Sequence, residues 1–261
     1  MSQPYKLGAV PSKPDSRDFV AQIVKPQAAT QLPKVYTVPL HPPVRNQQNE
    51  GTCVGHALAG ILDYHQLRLN FKRELSVRDA YEGARKVEPV EGEGAMPRAA
   101  LKNAQRSGLC HEVDWPYIPH NPGQPGSAAP HNRLLNKSGA YAQIPLNTLN
   151  IKSAILQYGP LLAVVPVTDG FWTPDSNGFV YYTNPVRGYH AVVLVGYDDD
   201  RKAFLLRNSW GPDWGKDGHC WLPYHYMITE CWTVTANILA ELPSEPPKPD
   251  FWTWLRSLLR I

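Results

Sequence analysis

The chain has 261 residues, of which 43% are hydrophobic and 19% charged, a composition typical of a globular protein with one large domain or two lobes. Its formal net charge of +3 is too small to indicate a nucleic-acid partner, and no basic run or basic-aromatic stripe supports one. The N-terminus has no apolar signal-peptide core, and no stretch of roughly 18 apolar residues predicts a membrane span. We therefore expect a cytoplasmic protein, with leaderless export as an effector left open.

The first part of the chain divides into an arm and a helical region. Residues 1–44 hold many prolines and little periodicity, which predicts an extended arm. Apolar spacing and terminal signals predict four helices. They cover Cys53–Leu69, Ser76–Val87, Pro97–Ser107 and Thr148–Tyr158. Thr52 and Ser76 are the expected N-caps, and Gly159 closes the fourth helix. The segment 120–133 is expected to be a loop.

After Gly159 the sequence changes to short β-rich runs separated by Gly, Pro, Asp and Asn. These runs are PLLAVVPV, GFVYYT, HAVVLVGY, AFLLRN, HCWLP and CWTVTANI. Helices followed by strands predict an α+β protein with segregated lobes. We place a helical lobe at 45–145 and a β-rich lobe at 146–240.

The C-terminal segment 241–261 combines a proline-rich linker with the run FWTWLRSLLRI. This run is predicted to form a short helix rich in Trp and Leu. One interpretation is a helix that docks on its own domain. The other is a basic amphipathic anchor for a partner or a membrane surface, which would attach weakly because the helix is short.

The four cysteines are scattered and show neither CxxC pairing nor metal-ligand spacing. We therefore expect no metal, no cofactor and no disulfide-dependent fold, and interpret Cys220 and Cys231 as buried thiols, although a single bridge between them stays open. Cys53 differs because it lies where a polar loop, NQQNEGT, gives way to a helix. A helix N-terminus stabilises a thiolate, the nucleophilic form of cysteine.

A second unusual segment, GYHAVVLVGYDDDRKAFLLRNSWGPDWGKDGHCW, begins at Gly188. His190 begins an apolar strand, and Asn208 ends the next one, directly before Ser209 and Trp210. Each of these positions is unremarkable by itself. Their combination with a cysteine at a helix start indicates a nucleophilic site.

At these residues the sequence resembles the papain-like cysteine peptidases, the C1 family, and a bacterial-type member in particular. NSWGPDWGKDG matches the family segment NSWG-x-x-WG-x-x-G, and YHAVVLVGY matches its x-H-A-V-x-x-V-G-Y strand. The family signature places its His and Asn about 130–150 residues after the nucleophile, and His190 and Asn208 fit that separation within loop variation. The resemblance covers roughly residues 40 to 235 and implies a papain-like fold, with a cleft between a helical lobe and a barrel-like β-rich lobe.

The resemblance also implies a role for each residue of the site. Cys53 would be the nucleophile, held as a thiolate against a protonated His190. Asn208 would orient the imidazole, and Trp210 would shield their hydrogen bond from water. Gln47 would donate to the oxyanion together with the backbone N–H of Cys53.

A substrate-binding wall follows from the same resemblance. Its residues are Gly94, Ala95, Met96, Pro97, Val164 and Tyr189. Gly94 and Ala95 would bind the substrate backbone, and the others would line an apolar S2 pocket. The alternative is that these are helix-capping residues with Met96 in the core.

The sequence departs from the family signature at two positions. Glu50 stands where the family has a cysteine three residues before the nucleophile, and Val54 stands where it has an aromatic residue. The missing cysteine removes a disulfide of extracellular members, which fits a reducing or bacterial origin. Because a carboxylate near the thiolate would raise the pKa of Cys53, we predict that Glu50 faces solvent.

These features predict a cysteine endopeptidase that cleaves polypeptides with an apolar residue at the second position before the cut. Residues 1–44 are shorter than the usual helical prodomain, but they could still lie across the cleft as a short inhibitory prosegment. Two alternatives stay open. One is another papain-fold acyl-transfer enzyme, such as a transpeptidase, deamidase or cell-wall amidase. The other is a non-catalytic binding module.

Overall fold

The computed structural model of the protein describes residues 5–22 and 32–236. Its helices are α1 (Cys53–Arg68), α2 (Val77–Val87), α3 (Pro97–Arg106), α4 (Ala129–Leu135) and α5 (Thr148–Tyr158). Its strands are β1 (Val35–Thr37), β2 (Ser138–Gln143), β3 (Leu161–Val167), β4 (Gly188–Asp198), β5 (Ala203–Arg207), β6 (His219–Pro223) and β7 (Glu230–Ala236). The predicted α+β class is confirmed. No helix within these described ranges combines the length and apolarity needed to cross a membrane.

Local signals define most helix ends. The Ser76 hydroxyl accepts a hydrogen bond from the Asp79 amide at 3.0 Å and so caps α2. Helix α3 begins at a proline, and α5 ends before Gly159, which has φ +91°. At α1, Thr52 occupies the N-cap position as predicted, but its side chain makes no capping hydrogen bond.

The strands form one antiparallel sheet in the order β2-β7-β3-β4-β5-β6, and β1 pairs with the end of β4. Strand β3 is buried along its whole length and places Val165 opposite His190 of β4. Strands β1 and β2 come from the ranges that we ascribed to the arm and the helical lobe. The sheet therefore extends beyond residues 146–240.

Helix α1 is buried along most of its length between the sheet and the other helices. Two glycines allow this close packing. A Cβ atom at Gly55 would lie 2.9 Å from the Val77 carbonyl oxygen, and one at Gly60 would lie 2.5 Å from the Arg207 guanidinium. As a result, the first turn of α1 meets the beginning of β4, where the Ala191 amide donates to the Cys53 thiol at 3.4 Å.

Residues 5–22 of the arm run over the protein in a largely extended conformation. Ala9 forms a parallel bridge with Ala95, and Val20 forms one with Gln143. Between these points Arg98 forms an ion pair with Asp18 at 3.0 Å. The arm is thus attached to both the helical part and the sheet.

Two predictions of secondary structure are wrong. The run GFVYYT forms no strand, because the Asp175 carboxylate accepts hydrogen bonds from the amides of Asn177 and Phe179 and holds a turn there. Only an isolated bridge joins Phe179 to Trp221. The expected loop at 120–133 ends early, because α4 begins at Ala129 with a proline in its first turn.

We predicted that Glu50 faces solvent, and this prediction is wrong. Glu50 is only 6% exposed, and its two carboxylate oxygens accept hydrogen bonds from Arg78 at 2.7 and 2.8 Å. Burial opposes ionisation of Glu50, but Arg78 and the His120 amide outweigh it and hold the pKa of the carboxyl below its usual value. The charge that would have disturbed Cys53 is therefore neutralised rather than solvated.

The predicted C-terminal helix lies outside the described residues. Its proposed docking to a partner or membrane stays a prediction. The four cysteines are buried free thiols, so Cys220 and Cys231 form no bridge.

Candidate active site

Cys53 is the first residue of α1 and is fully buried. No acidic side chain lies in the first turn of this helix. Burial raises the pKa of the Cys53 thiol to about 11, although hydrogen bonds from the backbone N–H groups of Ala191 and Gly8 oppose that rise. Since Gly8 belongs to the arm, the arm itself contacts the thiol.

His190 and Asn208 form a buried hydrogen bond of 2.7 Å between Nε2 and Oδ1. The Ser209 amide also donates to Asn208 Oδ1, at 2.8 Å, which identifies this atom as the acceptor. The Nε2 atom of His190 therefore carries the proton, and Nδ1 is left as a base. Nδ1 makes no hydrogen bond within the described residues.

Burial favours the neutral forms of both Cys53 and His190 in this arm-covered site. Burial lowers the pKa of His190 to about 4, although the bond to Asn208 opposes this shift. Together with the raised pKa of Cys53, this lowered pKa favours a neutral thiol beside a neutral imidazole near neutral pH. A thiolate–imidazolium pair is disfavoured while the arm covers the site.

Gln47 is fully buried and connects the two halves of the site. Its backbone N–H donates to the Ser209 carbonyl oxygen at 2.8 Å, and its Oε1 atom accepts from the Ser209 hydroxyl at 2.7 Å. This fixes the amide so that Nε2 donates to the carbonyl oxygens of Lys6 and Glu50, at 2.9 and 3.0 Å. A peptide carbonyl of the arm thus occupies the donor that we predicted for an oxyanion.

Trp210 covers the imidazole. Its ring stacks on His190 with centroids 4.6 Å apart and an interplanar angle of 24°. Tyr5 of the arm stacks on Trp210 at 4.4 Å and 4°, and Trp172 lies beside it at 5.5 Å. Trp210 is 2% exposed, so these rings keep water from the His190–Asn208 hydrogen bond.

The arm also binds the predicted substrate wall through its backbone. The Ala95 amide donates to the Gly8 carbonyl oxygen at 2.9 Å, and the Val10 amide donates to the Ala95 carbonyl oxygen at 3.0 Å. The Ala9 amide donates to the carbonyl oxygen of Tyr189 at 3.2 Å. Ala95 and Tyr189, from the two sides of the cleft, therefore bind one extended peptide segment.

The other predicted wall residues differ in their surroundings. Gly94 has φ +116°, and a Cβ atom there would lie 2.7 Å from the Gly8 carbonyl oxygen, so this position needs glycine for the arm to approach. Met96 and Pro97 are buried at the start of α3, and Val164 is buried in β3. Met96 and Val164 belong to the hydrophobic core, and their role in an S2 pocket stays a prediction.

Several residues of the site were not predicted from the sequence. Ser209, inside the recognised NSWG segment, links Gln47 to Asn208. Gly8 contacts the thiol, but nothing near it in the sequence marks that position. Arg78, the partner of Glu50, lies on α2, distant in sequence from the loop that carries Glu50.

The geometry thus places a thiol at a helix start, an imidazole on an adjoining strand, the Asn208 amide on that imidazole and the Gln47 amide on the loop before the helix. This defines a candidate thiol-dependent acyl-transfer site between a helical and a strand-rich half. The sequence profile described as papain family cysteine protease matches residues 37–238. The chain belongs to the papain family of cysteine proteases, which are hydrolases of peptide bonds.

Similar proteins come from several kinds of organism. A peptidase C1-like protein of Acanthamoeba polyphaga mimivirus is 28% identical over 86% of this chain and 83% of its own length. The viral cathepsin of Adoxophyes honmai nucleopolyhedrovirus is 28% identical over 67% of this chain, which spans 52% of that protein. The crystal structure of xylellain, a cysteine protease from Xylella fastidiosa, superimposes with a TM-score of 0.79 at 25% identity over 90% of this chain and 98% of its own.

Procathepsin B S9 from Trypanosoma congolense shares the fold, with a TM-score of 0.73 at 17% identity over 89% of this chain and 87% of its own. The papain-like fold is therefore confirmed. Because these relatives are viral, bacterial and eukaryotic, a bacterial origin of the present chain stays a prediction.

Proposed function

We propose that this protein is a cysteine endopeptidase in which Cys53 is the nucleophile, His190 the general acid and base, and Asn208 the residue that orients the imidazole. The observation that carries this proposal is the junction of α1 and β4. There the Ala191 amide, next to His190, donates to the Cys53 thiol, while His190 is held by Asn208. Gln47, on the loop before α1, donates its side-chain amide to the Lys6 carbonyl oxygen of the arm.

The proposed reaction has two halves. His190 Nδ1 takes the proton of Cys53, and the thiolate attacks the carbonyl carbon of the scissile peptide bond. Gln47 Nε2 and the Cys53 N–H stabilise the oxyanion, and His190 returns the proton to the leaving amine. Water, deprotonated by His190, then attacks the thioester, which releases the acid product and the thiol.

We further propose that substrates bind as an extended strand along Ala95 and Tyr189, with an apolar residue in a pocket near Met96 and Val164. Support comes from the arm, which already forms backbone hydrogen bonds with Ala95 and Tyr189. The cytoplasmic location expected from the sequence stays a prediction.

The arm itself is proposed to be an inhibitory prosegment. It occupies the Gln47 amide through the Lys6 carbonyl oxygen, and it occupies the backbone groups of Ala95 and Tyr189. A substrate needs the same groups, so the arm and the substrate compete. Removal of the first 40 residues would also remove β1 from the sheet, and a point substitution such as Gly8→Val is therefore the better way to displace the arm.

Substitution of the nucleophile tests the catalytic proposal. In the Gly8→Val protein, Cys53→Ala is expected to lower the hydrolysis of a peptide library by roughly 10⁴-fold or more, because no acyl-enzyme can form. The measurement is product formation by mass spectrometry, performed in ¹⁸O-labelled water. Hydrolysis incorporates the label at the new carboxyl group, whereas transpeptidation joins two peptides and leaves no label.

Cys110→Ala is the matched control, since Cys110 is also a fully buried free thiol but lies in a separate cluster with Trp115 and Ala129. It should leave turnover near that of the parent. Equal turnover by the Cys53→Ala protein would contradict the proposal. A Gly8→Val protein whose Cys53 is alkylated readily but which cleaves no library peptide would favour a binding module.

A further inference from the structure

The loop that carries Gln47 is fastened to the helical part of the protein by a buried ion pair. The Glu50 carboxylate and the Arg78 guanidinium form two hydrogen bonds, and their side chains are 8% and 1% exposed. The His120 amide donates to the same carboxylate at 3.1 Å. Such a bidentate pair fixes orientation as well as distance. It therefore holds the loop in one position relative to α2.

Tyr117 provides a second attachment of the same loop. Its hydroxyl donates to the Gln47 carbonyl oxygen at 2.7 Å and lies 2.9 Å from the Thr52 hydroxyl. The Arg78 guanidinium lies 5.0 Å from the centre of the Tyr117 ring. Glu50, Arg78 and Tyr117 thus form one unit, which we call the loop clamp.

The loop clamp acts directly on the amide of Gln47. The Glu50 carbonyl oxygen accepts one of the two Nε2 hydrogens of Gln47, at 3.0 Å. The position of the Glu50 backbone therefore determines where the other hydrogen points. In the present structure that hydrogen is donated to the Lys6 carbonyl oxygen at 2.9 Å.

We infer that the loop clamp positions the oxyanion donor. The Glu50–Arg78 pair holds the Gln47 amide where it can donate to an oxyanion formed by attack of Cys53. This inference rests on the proposed function. Glu50 and Arg78 are positioning residues, because they act through Gln47 and touch neither the thiol nor the imidazole. The clamp contains no cysteine, so the position of the donor does not depend on the redox state of the surroundings.

The test compares two isosteric substitutions around the same arginine in the Gly8→Val protein. Glu50→Gln removes the buried charge from the clamp. Glu82→Gln removes the other carboxylate near Arg78, which lies 3.3 Å away, is 26% exposed and belongs to α2 rather than to the loop. Loss of a whole oxyanion donor costs roughly 10²–10³-fold in kcat. Because Glu50→Gln displaces the donor rather than removing it, we expect a loss of roughly 10–100-fold in kcat with little change in KM.

Two chemical probes separate positioning from a general loss of structure. A peptide aldehyde forms a tetrahedral adduct whose oxygen needs the donor, so Glu50→Gln should weaken its binding by the same factor as kcat. Iodoacetamide alkylates the thiol without forming an oxyanion, so its rate at Cys53 should change by less than about threefold. Glu82→Gln should match the parent in both measurements. Tyr117→Phe, which keeps the ion pair, should give a smaller loss in the same direction.

The inference is overturned if Glu50→Gln equals the parent in kcat and aldehyde affinity, or if alkylation falls in parallel with both. Should Glu50→Gln fail to fold, Tyr117→Phe decides, and equality of that variant with the parent overturns the inference. A failure of the proposed function looks different. The parent protein would then be alkylated at Cys53 but would hydrolyse no peptide.

Discussion

Gly8→Val is expected to raise the peptidase activity of the full-length chain by roughly 100-fold or more. A Cβ atom at Gly8 would lie 2.0 Å from the carbonyl oxygen of Gly51 and 2.6 Å from its Cα atom. Both atoms belong to the backbone of the loop before α1, so neither can move aside as a flexible side chain would. The arm must therefore leave its position between Ala95 and Tyr189. The measurement is kcat/KM for a peptide substrate.

The size of the effect follows from the equilibrium between a covered and an open cleft. If the open form is about 1% of the wild-type population, displacement of the arm makes it the main form and raises activity about 100-fold. Amide hydrogen exchange gives an independent readout. The amides of Ala9 and Val10 donate to cleft carbonyl groups and should exchange much faster in Gly8→Val.

Lys13→Val is the matched control, because it places the same side chain on an exposed position of the arm. It should leave both activity and exchange close to wild type. If Gly8→Val releases the Ala9 and Val10 amides without raising activity, the arm is not an inhibitor. If both variants activate equally, the effect is a general weakening of the arm rather than the contact with Gly51.

Residues in local patterns were predictable from the sequence. The starts of α1, α2, α3 and α5 follow from apolar spacing, a proline and a capping serine, which act within one or two turns. The buried runs of β3, β4 and β5 were visible as uninterrupted apolar segments. The NSWG segment located Asn208, and the structure adds that Ser209 fixes its amide.

Features that depend on a distant partner were not predictable. Glu50 is a charged residue in a polar loop, for which solvent exposure is the ordinary expectation. Its burial depends on Arg78, which occupies a buried position of α2 where a charged residue is unusual. Similarly, β1 is a three-residue segment with an exposed first residue, and it becomes a strand because the end of β4 offers it an edge. The tertiary contact decides each case.

The arm combines both situations. Its prolines predicted an extended segment, but the course of the described residues 5–22 depends on complementary backbone groups at Ala95 and Tyr189. The parallel pairing of Ala9 with Ala95 is a property of two segments together, and no pattern within residues 1–44 encodes it. Gly8 shows the same point, since its lack of a side chain matters only because Gly51 lies against it.

The pH dependence of Cys53 alkylation is expected to differ sharply between the wild-type chain and Gly8→Val. Iodoacetamide reacts with the thiolate. In the open cleft, water reaches the pair, and a thiolate at the start of α1 beside a protonated His190 is expected from slightly acidic pH upward. Alkylation of Gly8→Val should therefore be fast and nearly constant from about pH 6 to pH 8. The rate constant is measured by peptide mapping, with the buried Cys110 as internal reference.

The wild-type chain should react roughly 100-fold more slowly near neutral pH, because only the open fraction reacts. Between the pKa of Cys53 and that of His190 in the open form, the covered and open sites hold one proton each, so pH does not shift their balance. Above the pKa of His190 in the open form, the open site loses its proton. The covered site keeps its proton, because burial raises the pKa of Cys53 there to about 11.

The open form is therefore favoured about tenfold for each further pH unit, and the wild-type rate should rise toward that of Gly8→Val. The direction of this pH effect distinguishes a neutral covered site from a charged one. A covered site that already held the charged pair would lose its proton together with the open one, and the ratio of the two rates would then stay constant with pH. A ratio of the Gly8→Val and wild-type rate constants that stays constant with pH would contradict the neutral thiol–imidazole state. Burial of Cys53 and His190 beneath the arm instead requires that the two rate constants approach each other only on the alkaline side.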